Sequence, residues 1–369
     1  MVLGEKALIA RVRRMAKRTN AAVVTGIGDD CAVLSLAPQS AAGKLRWREA
    51  RSPLIAHRSR LAARGSKLEV LDILVTTDFS LEGIHFRRDW HSPESIGHRC
   101  LARGLSDIAA MGGEPVAALL SLALPRDLPQ SWVGRFARSL IGMAERYGVA
   151  LAGGDTAESP DGILADIVVV GSVPKGKAVL RSGARPGDRI YVSGELGGSA
   201  AAVAQMRGLV PSPESRVPSH KSHPGKKARE KLNPREYPRH FFPEPRIELG
   251  RVLRETGLVT AMIDTSDGLS TDLAHICDES GVGAEIQAEL IPRARVGKPA
   301  REVDLQFALH GGEDYELLFT VPASKRVPSR IAGVPITYIG HITRGRKIYL
   351  VKRQVRCELQ PTGWEHFRR

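Results

Sequence analysis

The chain has 369 residues, 42% of them apolar and only 5% aromatic, with 37 glycines, 23 prolines and a formal net charge of +14. That length exceeds one ordinary domain, so two are expected. Many turn residues and few aromatics fit an α/β-type enzyme better than a β-sandwich. No apolar run approaches the ~18 residues that span a bilayer, which excludes a helical membrane protein and points to a cytoplasmic one.

Met1 to Asn20 carries scattered basic residues without an apolar signal core and reads as an amphipathic helix. Residues 42–70 hold eight Lys/Arg against two Glu, and Trp47, Leu54, Ile55 and Leu61 there could anchor a short helix. Leu71–Thr77 is an apolar, β-rich run leading to Asp78. Ser92 and Pro93 open a helix as N-cap and first residue; it runs to about Met111, ends at Gly112-Gly113, and carries Asp107 near its end. Pro129 to Tyr147 is an amphipathic helix. Val149–Gly154 repeats the apolar run, now leading to Asp155, and Ile163–Val173 is a strongly apolar strand.

The turn-rich Arg181–Asp188 marks the domain boundary, giving 1–180 and 181–369. Strand Arg189–Ser193 and helix Ser199–Arg207 follow. Residues 211–246 hold eight prolines and nine Lys/Arg against four Glu, with no periodicity, and read as a mobile loop. Leu258–Ile263 is the third apolar run, leading to Asp264. Eleven of the fourteen excess positive charges thus sit in 42–70 and 211–246. A nucleic-acid-binding role, which such charge suggests, is disfavoured: aromatic interleaving is sparse and no known nucleic-acid motif is present.

Cys31, Cys100, Cys277 and Cys357 are too far apart in sequence for a zinc knuckle or a CxxC pair, and read as buried or incidental thiols in a reducing compartment. The residues that stand out are acids: Asp29, Asp30, Asp78, Asp107, Asp155, Asp264, Asp267 and Asp272. Singly, an Asp beside Gly, Ser or Thr caps a helix or a turn. Three of them placed alike after apolar strands would lie at strand carboxyl ends, where ligands collect in α/β sheets. Two carboxylates ~4 Å apart repel by roughly 4 kcal/mol at an effective dielectric near 20, so a converging set needs cations. Hard oxygen donors without His or Cys select Mg²⁺, Mn²⁺ or Ca²⁺, and Mg²⁺ commonly brings phosphates with it. Gly153-Gly154-Asp155-Thr156 and Gly311-Gly312-Glu313-Asp314 add glycine doublets that allow close backbone approach to a phosphate. No Walker A sequence and no protein-kinase H-R-D or D-F-G set occurs.

Seven segments, in order, resemble the thiamine-monophosphate kinase family. They are Gly26-Ile27-Gly28-Asp29-Asp30-Cys31-Ala32; Thr76-Thr77-Asp78 with His85-Phe86; Leu105 to Gly112; Gly153 to Thr156; Arg181 to Asp188; Asp264-Thr265-Ser266-Asp267-Gly268-Leu269; and Gly311 to Leu317. The resemblance spans nearly the whole chain outside the two basic inserts. It implies an α+β fold: an N-terminal ATP- and metal-binding domain contributing a sheet to a homodimer interface, and a C-terminal α/β sandwich. It implies transfer of the ATP γ-phosphoryl to thiamine monophosphate, with several Mg²⁺ ions. Asp30, Thr76, Thr77, Asp78, Asp107, Asp155, Asp264 and Asp267 would hold metal. Of these Asp78, Asp107, Asp155 and Asp267 would be central to catalysis. Gly154, Asp155, Arg181 and Ser266 would contact ATP, and His85, Glu313 and Trp364 the thiamine part.

Two departures are visible: Gly104 stands where relatives often carry Asn, and the 42–70 insert interrupts the first two acidic motifs. Aminoimidazole ribonucleotide synthetase, selenophosphate synthetase and the hydrogenase-maturation dehydratase share this layout and are the alternatives. The chain shows neither an N-terminal Cys before Gly26 nor a C-terminal one, which the latter two would require.

Overall fold

The computed structural model describes residues 23–25, 29–35, 70–208 and 232–364. The amphipathic helix expected in 1–20, the glycines of the first motif, the body of the 42–70 insert and residues 209–231 lie outside them.

The first sheet has six strands: β1 (Val23–Thr25), β2 (Ala32–Ser35), β3 (Leu71–Leu81), β4 (Glu114–Leu124), β5 (Ala150–Glu158) and β6 (Leu164–Pro174), in the order β1-β2-β3-β6-β4-β5. All neighbours are antiparallel except β4 and β5. Residues of β3 and β6 alternate between buried and partly exposed, as expected of strands with one face on a core. The buried face packs on α1 (Pro93–Ala110) and α2 (Gln130–Arg146), where Leu74, Leu101, Leu105, Ile108, Phe136 and Ile167 are fully enclosed.

Helix α1 starts where its sequence dictates. The Ser92 hydroxyl accepts the Ser95 amide at 3.2 Å, satisfying one orphan N–H of the first turn, and Pro93 needs no such partner. Helix α5 (Ile247–Thr256) crosses α1 closely: a β-carbon on Gly250 would lie 2.1 Å from the Ala109 carbonyl oxygen.

The second sheet is built from β7 (Arg189–Ser193), β8 (Ala261–Asp264), β9 (Gly283–Gln287), β12 (Leu317–Val321), β14 (Val334–Thr343), β15 (Ile348–Lys352) and β16 (Val355–Glu358), ordered β16-β15-β9-β14-β7-β12-β8, with β13 (Arg330–Ile331) on β14. The small pair β10 (Arg295–Val296) and β11 (Arg301–Glu302) stands apart. One face of the large sheet packs on α6 (Leu269–Ser280) and α7 (Leu305–His310) through Ile190, Ile263, Leu273 and Leu318. The other face sets Met262, Leu317 and Phe319 against Leu249 and Leu253 of α5 and Ala109 of α1. Strand β12 is buried on both faces, which is why its sequence shows no alternation. Helix α1 therefore links the two sheets, and its buried carboxylate end faces both.

Two expectations are corrected. Residues 232–246 are not a loose loop. They form the short helix α4 (Pro238–Phe241), bury His240 and Phe241, and send Arg239 and Arg246 to the wholly buried carboxylate of Glu316. Nor do all three aspartates end their strands. Asp264 closes β8, but Asp78 and Asp155 lie inside β3 and β5, because antiparallel pairing with β6 continues through Leu81 and the β4 pairing of β5 through Glu158.

Candidate active site

A cavity of about 630 Å³ opens where the ends of α1, β3 and β8 meet the 311–316 loop. Asp30, Thr76, Thr77, Asp78, Asp107, Arg181, Asp264, Ser266, Asp267, His85, Glu313 and Trp364 all line it. Gly154 and Asp155 do not.

The acidic end is built on three elements. One carboxylate oxygen each of Asp30, Asp107 and Asp264 lies within 4.8 Å of the others. Asp30 is held by Arg181 through bonds of 2.8 and 3.2 Å. The Thr76 hydroxyl donates to Asp107, and the Ser106 hydroxyl donates to Asp264 Oδ2 at 2.5 Å. Asp264 Oδ1 is buried without a hydrogen-bond partner. Burial, and then the neighbouring Asp30, push Asp264 up to about 7. Burial with the Asp78 and Asp264 charges drives Asp107 well above the carboxylate range. Asp29, just outside the cluster, rises to about 7 by burial and by Asp30, despite Arg181. An unpartnered buried oxygen, crowded carboxylates and hydroxyls, and no His or Cys donor fit a hard divalent cation. Cys31, beside the cluster, is buried and its thiol is pushed up, so it offers no thiolate.

At the other end Glu313 sits in the left-handed region (φ 64°). A β-carbon on Gly312 would meet the Ser266 carbonyl at 2.4 Å, so this doublet serves to seat the loop against the 264–268 turn. Burial would raise Glu313, but Arg99 at 2.8 Å and Arg103 at 3.5 Å overcome it and hold the carboxyl at about 2. Asp314 points away and accepts the Gly197 and Ser199 amides, capping α3 (Gly198–Arg207). Trp364 is 43% exposed, with its amide on the Asp267 carbonyl at 2.9 Å. The His85 ring accepts the Leu81 amide at 3.0 Å.

Arg99, Arg103 and Tyr315 were not anticipated. The two arginines stand four and eight residues before Asp107, a helical spacing that places all three on one face of α1. Gly104 faces β6, where a β-carbon would lie 2.6 Å from Val169 Cγ2.

Gly154 and Asp155 are displaced by topology. Strand β5 is separated from β3 by β6 and β4, about 14 Å at the usual strand spacing. Gly154 adopts φ 152°, and a β-carbon there would strike the Leu120 carbonyl. Asp155 is exposed, in register with Ser121, Asp166 and Phe79 on the outer face of the sheet. That face also exposes the large apolar side chains Phe79 and Leu119.

Comparison with known proteins agrees with this layout. Residues 65–173 match the family model of AIR synthase related protein, N-terminal domain, and residues 185–353 that of the C-terminal domain. Thiamine-monophosphate kinase of Salmonella typhimurium is 33% identical over 100% of this chain and 99% of its own; that of Escherichia coli K12 is 34% identical over the same shares. The chain belongs to the thiamine-monophosphate kinase family. The solved structure of AaThiL complexed with AMPPCP and TMP superposes with a TM-score of 0.73 at 29% identity, over 100% of this chain and 99% of that one. Among the described residues no helix is long and apolar enough to cross a membrane.

Proposed function

We propose that this protein transfers the γ-phosphoryl group of ATP to thiamine monophosphate, giving thiamine diphosphate and ADP. The observation that carries this reading is one cavity with two chemically different ends. A buried carboxylate cluster with an unpartnered oxygen lies at one end, and His85, Glu313 and the exposed face of Trp364 lie at the other. Full-length similarity to curated kinases of this name, and to a structure holding AMPPCP and TMP, supports it.

Asp30, Thr76, Thr77, Asp78, Asp107, Asp264 and Asp267 would hold Mg²⁺ here. The bound ions would supply charge neutralisation to the polyphosphate and the acceptor phosphate. Arg181, fixed by Asp30, and Ser266 line the ATP side. His85, Glu313 and Trp364 orient the thiamine part, with the Trp ring offering its face to the cationic thiazolium. An oxygen of the acceptor phosphate attacks the γ-phosphorus as the bond to the bridging oxygen of ADP breaks. That oxygen is already ionised at neutral pH, so positioning replaces a general base.

Asp155 and Gly154 enter through a homodimer. In one subunit Asp155 is too far from Asp78 to share a ligand, yet it lies on an exposed sheet face bearing Phe79 and Leu119. Pairing two such faces about a two-fold axis buries them and brings each Asp155 to the partner's site. The test of the activity is direct: the protein, Mg·ATP and thiamine monophosphate should yield thiamine diphosphate and ADP in equal amounts. ADP release without thiamine diphosphate would refute the assignment.

A further inference from the structure

Arg103 joins the two ends of the cavity. Its Nη2 lies 3.5 Å from Asp78 Oδ1 and its Nη1 lies 3.5 Å from Glu313 Oε1, while Nε is buried with no hydrogen-bond partner. Both ion pairs are at the outer limit of a hydrogen bond, well beyond the ~2.8 Å of a charge-assisted one. The side chain is 16% exposed and lines the cavity. The other arginines buried at this site are committed. Arg181 forks onto Asp30. Arg99 holds Glu313 at 2.8 Å and donates to the His240 and His85 carbonyls. Arg207 reaches the same cavity from the exposed last turn of α3.

A guanidinium has five N–H donors. On Arg103 two of them face carboxylates at slack distance and a third has nothing. An arginine kept only for structure would close onto one carboxylate. This one is suspended between two, at the point where a group lying between the carboxylate cluster and the thiamine-binding end must pass. The phosphate of thiamine monophosphate is that group, if the kinase reading above holds, on which this inference rests. We infer that Arg103 grips the acceptor phosphate, exchanging its two long carboxylate contacts for charge-assisted bonds to phosphate oxygens. Arg103 is then a residue of this chain that favours the monophosphate over free thiamine. With the cluster carboxylates offset by the cations they would hold, Glu313 remains the negative group facing that phosphate, and Arg103 supplies a cation with spare donors between the two.

The test compares two probes, thiamine monophosphate and thiamine, by calorimetric titration in the presence of saturating Mg·AMPPCP. Arg103→Met should weaken the monophosphate by about 10- to 100-fold, the loss of one or two charge-assisted bonds. Thiamine should change by less than about threefold, since its ring contacts remain. Arg103→Lys should fall between, because a point charge replaces a fork; it carries the test alone if the methionine variant does not fold. An unchanged ratio of the two affinities, whether both probes weaken together or neither does, overturns the inference while leaving the kinase reading intact. Failure of the wild-type protein to bind thiamine monophosphate overturns both.

Discussion

Replacing Asp264 by Asn should stabilise the metal-free protein increasingly as pH rises from about 5 to about 7, with the full gain at and above that point. Asp264 is 1% exposed and shares a 4.8 Å cluster with Asp30 and Asp107. At that separation each ionised neighbour costs about 3.5 kcal/mol at an effective dielectric of 20. The raised Asp264 carboxyl gives a second figure, in which burial comes first and the Asp30 charge second. Asp264 stands at about 7, roughly three units above an ordinary Asp, which amounts to about 4 kcal/mol at full ionisation. The sign follows from proton uptake. Between pH ~4 and ~7 the folded state keeps a proton on Asp264 that the unfolded chain has lost. Unfolding free energy therefore falls as pH rises through that window and levels off above it.

Asparagine removes this term and retains an oxygen for the Ser106 hydroxyl, but adds an amide that needs partners, so about 2–4 kcal/mol should survive. The metal-free melting temperature at pH 8 should rise by about 4–8 °C, and at pH 5 it should hardly move. Turnover should fall below detection at both. Differential scanning fluorimetry across pH 5–8, with and without Mg²⁺, reads all of this. Wild-type protein should gain stability from Mg²⁺ at pH 8 far more than the variant does. A variant equally destabilised at pH 5 and pH 8 would refute the picture of a strained carboxylate cluster. Asp29 and Asp314 also stand at about 7, so wild-type, metal-free protein should show a further fall in stability over the same range.

Other outcomes can be stated briefly. Arg246→Met strips a buried partner from Glu316 and should cost about 3 kcal/mol in urea denaturation, with little effect on the ATP KM. Trp364→Ala should raise the KM for thiamine monophosphate by roughly 2- to 30-fold, spare that for ATP, and leave the melting temperature within about 2 °C because the ring is 43% exposed. Asp155→Asn and Asp78→Asn should each be inactive alone. Mixed and allowed to exchange subunits, they should recover about a quarter of wild-type activity, since half the dimers then carry one intact site; no recovery would place Asp155 outside the partner's site.

What could be read from the sequence was local. Ser92-Pro93 and Gly112-Gly113 bracket α1 because capping and backbone freedom act within one turn. The strands follow from apolar runs that need only a core to face. The convergence of Asp30, Asp107 and Asp264 was legible only through the family motifs that carry them, because their neighbours Cys31, Leu105, Ile108 and Ile263 read as ordinary core residues, which they are. The placement of Asp155 was not. Its run, Val149–Gly154, has the same pattern as those before Asp78 and Asp264, yet the sheet order puts it three strands from Asp78. Nothing within the run encodes that order.

The 232–246 segment failed for a related reason. Prolines and arginines read as solvated chain when their partner is unknown, and the partner, Glu316, is 70 residues beyond Arg246. Within Glu313-Asp314-Tyr315-Glu316 the acids divide the labour: Glu313 enters the cavity, Asp314 caps α3, and Glu316 anchors the basic segment. The loop that presents a cavity-facing carboxylate is thus tied on both sides to structural ion pairs and caps. That arrangement explains why Glu313 and Tyr315 can keep left-handed backbone angles that non-glycine residues rarely adopt. It also fixes the distance from Glu313 to α1, and so the gap that Arg103 spans. Arg103 was not legible because its partners, Asp78 and Glu313, are brought to it by the fold; its spacing of four from Asp107 places it only on the same face of α1.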